Sequence, residues 1–162
     1  MAKEAKKYFI IILAFLLYYL ASRHFKAIME QVDMLLHNGL ASYIVTYLLL
    51  GMPLFIGTAL VVRRQTVLKS WGLNGNIFRG LLLGLVFALH MFVGGLVSFD
   101  INREIDIPNL LAGTILAGLF EEAYFRGFLF GLLFSHTRLG FIPSAMMGGL
   151  IFATGHLYQS SD

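Results

Sequence analysis

Residues 108–134 form an apolar run long enough to cross a bilayer, and its middle reads Glu121-Glu122-Ala123-Tyr124-Phe125-Arg126. In hydrocarbon such a stretch must satisfy its own backbone and so folds as a helix. Ionisable groups at that depth are costly and mark function by default. The bland alternative is a self-neutralised ion pair with one acid left over. Helical geometry separates the two acids. Glu122 and Arg126 stand four apart, share a face and can pair. Glu121 is turned about 100° away at 3.6 residues per turn. It has Tyr124 and Phe125 three and four positions on in place of a cation. Poor solvation and an adjacent carboxylate fit a carboxyl group for general acid–base work near neutral pH. The sequence therefore nominates Glu121 as the reactive group and Glu122 with Arg126 as its holder.

The rest of the chain places this helix in a membrane. Hydrophobic residues make up 58% and charged residues 13%, against about 25% charged in soluble domains. Several uninterrupted apolar runs predict an all-α, multi-pass transmembrane helical bundle of about five spans, formed by residues 1–162 as a single membrane domain. The alternation of an outer-membrane barrel is absent. Without cysteine there is neither a disulfide framework nor a thiolate metal site. No basic cluster interleaved with aromatics lies outside the membrane flanks, so nucleic acid is not an expected partner.

A basic leader precedes the first apolar run at residues 8–22. A signal peptide starts in the same way, but no small-x-small cleavage site follows, so a first span flanked by Lys7 and Arg23 is the reading. Residues 25–38 carry a helical apolar stripe and are expected at the interface or as a helix extension. The second span, at about residues 40–62, contains Pro53 as a kink. A turn-rich loop with an interfacial tryptophan, Trp71, leads to the third span at about residues 77–99. Pro108 and Pro143 suit the first turns of the fourth and fifth spans. Lys and Arg on the inner flanks outnumber those on the outer flanks by eight to three when the N-terminus is cytoplasmic, so that orientation is expected. Gly80 with Gly84, Gly127 with Gly131, Gly94-Gly95 and Gly148-Gly149 are expected at helix contacts.

The fifth span carries Phe152-Ala153-Thr154-Gly155-His156. A lone intramembrane histidine is commonly a hydrogen-bonded bundle residue, but depth argues for more. At about 1.5 Å per residue, His156 lies roughly 22 Å in from Phe141, and Glu121 lies roughly 20 Å in from Phe134. Consecutive antiparallel helices would bring the two to one level. His90, roughly 20 Å from Ile77 by the same rise, falls in that layer too.

Glu-Glu-x-x-x-Arg at Glu121, Glu122 and Arg126, followed one helix later by Phe-x-x-x-His at Phe152 and His156, resembles the CAAX protease and bacteriocin-processing (Abi) family of intramembrane proteases. The preceding Leu68-Lys69-Ser70-Trp71-Gly72-Leu73 looks like that family as well, and the resemblance covers about residues 65–158. It implies an endopeptidase acting on a membrane-associated protein or peptide, in a bacterial cell membrane. Glu121 would activate water, His156 would assist, and Glu122 and Arg126 would hold the site. Members are described both as metalloproteases and as glutamate-dependent proteases without a metal. Glu121 and His156 would be the ligands if zinc were held, although no His-Glu-x-x-His spacing is present. Members usually carry a further His-x-x-x-Asn motif on a later helix, and here six residues follow His156. The expectation is a truncated or degenerate member, or one in which His90 or a second subunit of a homo-oligomer fills that role. Two other readings stand beside the protease: a non-catalytic immunity or scaffold protein, and a proton- or ion-handling membrane protein.

Overall fold

Among residues 2–62, 66–98 and 111–155, which the computed structural model describes, every regular element is helical. Among the described residues, helix α1 (Ala2–Ser22) is the one helix that is long and apolar enough to cross a membrane unaided, over Lys3–Ser22. Helix α2 (Phe25–Leu36) packs along α3 (Gly39–Leu50), with His37 left-handed at φ 49° in the corner. Asn38 caps α3 by accepting from the Ala41 N–H, and the Ser42 hydroxyl donates to Asp33 at 2.7 Å across the hairpin. Aromatic contacts complete it, Phe25 lying 5.2 Å from Tyr43 and 4.7 Å from Tyr47.

The expected kink is present. Helices α3 and α4 (Met52–Val61) meet at Gly51 with a bend of 41°. Pro53 sits in the first turn of α4, where its missing N–H leaves no intrahelical bond unmade. Helix α5 (Val67–Ser70) is a single turn capped by Thr66. Trp71 follows it and departs from expectation: it is 6% exposed and part of the core, not an interfacial anchor. Its indole N–H donates to Thr58 Oγ1 at 2.8 Å, its ring stacks on Phe55 at 5.2 Å, and Tyr124 and Phe128 pack edge-on. The satisfied N–H is what lets so large a ring be buried.

Helix α6 (Ile77–Ser98) bends by 44° between Phe78–Val86 and Ala88–Gly95. The next stretch is one continuous but non-uniform helix: π1 (Leu111–Leu116), α7 (Ala117–Glu121), π2 (Glu122–Phe130) and α8 (Gly131–His136). A tight turn with Gly140 at φ 84° leads to α9 (Phe141–Gly155). The expectation of about five spans is met only in part. One helix qualifies alone, up to three do if each bent pair is one span, and α9 is a shorter apolar helix of 15 residues.

The core is built where α1, α4 and the composite helix meet, from Ile11, Phe15, Leu54, Phe128, Leu129 and Leu132 among others. The composite helix runs antiparallel to α1: Lys7 donates to the His136 carbonyl at 2.9 Å, while Phe15 meets Phe125 and Tyr18 meets Tyr124 further along. Only some of the expected contact glycines make contacts. A Cβ on Gly127 would stand 3.0 Å from Trp71 Cβ, and one on Gly148 would stand 3.8 Å from Phe130 Cβ. Among the described residues, Gly80, Gly84, Gly94, Gly95 and Gly149 have nothing within 4 Å. Helices α1 and α4 also pack closely at Gly57, unpredicted, where a Cβ would be 2.7 Å from that of Ala14.

Candidate active site

The acidic pair sits at a change of helical geometry. Glu121 ends α7 and Glu122 opens the nine-residue π2, in which bonding is i→i+5 in place of i→i+4. The simple α-helical wheel is therefore not the geometry of this segment. π-Helical turns are rare and are found frequently at functional sites. The predicted pair nevertheless forms: Arg126 Nη1 lies 3.0 Å from Glu122 Oε2. Their side chains are 78% and 54% exposed, so the pair points out of the protein interior and is not a sealed ion pair.

Glu121 is half-buried, and among the described residues no cation stands within salt-bridge distance of it. Two adjoining cavities share it. The first, about 320 Å³ in volume, lies between π2 and α9 and is lined mainly by Phe125, Phe130, Phe141, Phe152 and the face of Gly148 and Gly149, with Glu122 and Arg126 at one wall. The second, about 580 Å³, opens among α1, α3 and α9, with Tyr18, Tyr19, Ser22, Arg23 and Thr154 supplying polar atoms. Glu121, Phe125 and Phe152 belong to both, and the edge-on Phe125–Phe152 pair at 5.2 Å stands at their junction.

Local packing fixes the carboxylate. Phe120, just before Glu121, stacks on Tyr47 at 4.5 Å and 3°. Tyr124, just after the pair and 1% exposed, donates its hydroxyl to the Tyr47 carbonyl at 2.8 Å. That carbonyl also accepts the Gly51 N–H at 2.9 Å, so the break between α3 and α4 is tied to the acidic helix. Gly51 is obligatory there, because a Cβ would overlap the Tyr124 hydroxyl and stand 2.7 Å from its ring carbon.

Three further expectations concern the surroundings of Glu121. The π2–α9 pairing, Phe130 on Phe141 and Phe125 on Phe152, carries α9 antiparallel toward Glu121, and Gly155 lines the second cavity. His156 itself lies outside the described residues. His90 is exposed on α6 and lines neither cavity. Among the described residues no three His, Asp or Glu side chains converge, so those donors alone fall short of the three protein ligands of a catalytic zinc site. Sequence reading missed Tyr18, Tyr47 and Tyr124; tyrosines on three separate helices carry no mutual spacing that a linear pattern could reveal.

An all-helical bundle with a half-buried carboxylate between an apolar and a polar cavity is the class that the fold and site define. Residues 103–162 match the family model described as type II CAAX prenyl endopeptidase Rce1-like. Over that stretch the resemblance to the CAAX protease and bacteriocin-processing family is shown. The stretch contains Glu121, Glu122, Arg126 and His156, and leaves out the segment from Leu68 to Leu73. The chain is similar there to a membrane-embedded protease family. No curated protein and no solved structure matches the chain.

Proposed function

We propose that the protein is an intramembrane endopeptidase that hydrolyses a peptide bond of a membrane-associated substrate, with Glu121 as general base. The observation that carries this reading is the place of Glu121: on the wall of both cavities, with no cation among the described residues at salt-bridge distance, beside a second acid that has one. An acid with no counter-ion keeps its lone pairs for water, and a positioned base of this kind contributes about 10²–10⁴-fold. Glu122 and Arg126 position it. His156, one helical turn beyond Phe152 in sequence, assists. The aromatic cavity suits an apolar portion of the substrate, and the polar cavity suits its peptide backbone. The chain crosses the membrane several times with a cytoplasmic N-terminus, in keeping with its loop charges.

The test is turnover of a fluorogenic peptide bearing a prenylated cysteine, with the full chain in lipid nanodiscs. Glu121→Gln keeps the size of the side chain and removes the base, so cleavage should fall by at least about 10²-fold. Equal turnover by parent and Glu121→Gln would sink the assignment.

A further inference from the structure

Helix α1 lies outside the family-matched stretch, yet it brings one hydroxyl to the polar cavity in an unusual state. Tyr18 is 4% exposed, its ring held edge-on by Phe15 at 5.7 Å and by Tyr124 at 5.0 Å. Its hydroxyl has no hydrogen-bond partner among the described residues, and it is not one of the unsatisfied atoms sealed from solvent there, which are Glu4 Oε2 and His136 Nδ1. Tyr18 lines the cavity that Glu121 also lines. The contrast with its neighbour is informative: Tyr124 is buried as deeply but spends its O–H on the Tyr47 carbonyl. A phenol that lines the cavity of Glu121, with no acceptor for its O–H among the described residues, is free to donate to a carbonyl bound there.

We propose that Tyr18 is a catalytic residue that donates its O–H to the carbonyl oxygen of the scissile peptide bond. This rests on the peptidase reading above and deepens it. In the reaction, Glu121 takes a proton from water as the water oxygen bonds to the carbonyl carbon. The π electrons of C=O move onto oxygen, and the Tyr18 hydroxyl holds that charge by a hydrogen bond without giving up its proton. Collapse re-forms C=O and breaks C–N, and the proton stored on Glu121 passes to the leaving amine. Water is consumed, one acid and one amine are released, and both side chains return to their starting state. The rigid ring cage makes the donor preorganised, the property that gives oxyanion donors their weight.

Tyr18→Phe removes the hydroxyl and keeps the ring in its cage. The expected result in nanodiscs is a fall in kcat of about 10²-fold with little change in KM, the signature of an interaction made in the transition state. A peptidyl phosphonate, which presents a tetrahedral anion, should lose affinity for Tyr18→Phe by a similar factor, while the uncleaved peptide should not. Tyr8→Phe, on the same helix but lining neither cavity, serves as the comparison and should keep kcat. If the parent cleaves, Glu121→Gln is inactive and Tyr18→Phe matches the parent, the role of Tyr18 is overturned and the peptidase reading stands. If the parent cleaves no prenylated peptide, both fail together.

Discussion

Replacing Gly57 by alanine tests the packing on which the site rests. The new methyl carbon would stand 2.7 Å from Ala14 Cβ and 3.3 Å from the Phe128 ring. Carbon atoms settle at about 3.5–4.0 Å, so α1 and α4 must part by roughly 1 Å. Overpacking of this kind costs about 1–3 kcal/mol. The higher helix propensity of alanine offsets up to about 1 kcal/mol of it. A net loss of up to about 2 kcal/mol follows, a factor of up to about 30 in the folded-to-unfolded ratio. The sole tryptophan, Trp71, packs on Phe128 at 5.9 Å and reports the same region, so its fluorescence can follow unfolding in mixed micelles as dodecyl sulfate is raised. Gly57→Ala should lower the midpoint, and adding Ala14→Gly should restore most of the loss. Gly84→Ala, with nothing within 4 Å, should be neutral or stabilising. If Gly57→Ala behaves like Gly84→Ala, α1 and α4 do not approach as described.

Arg126→Met leaves Glu122 unpaired, and because the pair is largely exposed the loss of stability should be at most about 1 kcal/mol. In a Glu122→Gln background the same change should cost less, and a double-mutant cycle by the same unfolding assay measures the difference. At the Lys7 end of the bundle, beyond the apolar stretch, burial and then the Lys7 charge hold the His136 imidazole below its ordinary value of 6.5. A base lowered in the folded state binds protons more readily once unfolded, so its contribution is present above pH 6.5 and is lost as pH falls below it. His136→Gln should flatten that acid-side decline in the unfolding midpoint. Thr58→Val strands the buried Trp71 N–H and should cost about 1–3 kcal/mol, with a blue shift of Trp71 emission to check that the ring stays buried.

The features legible in the sequence are those that live within one helix. The Glu122–Arg126 pair needs only four-residue spacing, and it survives even the widened π2 turn because both residues stay on one side of it. Pro53 marks a break because proline lacks a donor wherever it stands. Apolar runs announce helices for the same local reason. The close packing at Gly127 was expected, but its partner, the Trp71 backbone and Cβ, was not.

What tertiary structure decided is which surfaces meet. Gly80 with Gly84 and Gly127 with Gly131 have the same spacing in the chain, yet among the described residues only the second pair lies against another segment. A small side chain permits close approach without specifying it. Trp71 has the composition of an interfacial anchor and became core because Thr58, thirteen residues earlier on α4, could accept its N–H. The site follows the same division. The sequence alone determined that Arg126 stands one turn from Glu122, while Glu121 has Tyr124 and Phe125 at the corresponding positions. Only the antiparallel docking of α1 on the acidic helix could place Tyr18 on the same cavity, because that contact joins residues far apart in the chain and depends on side-chain packing that no local periodicity encodes.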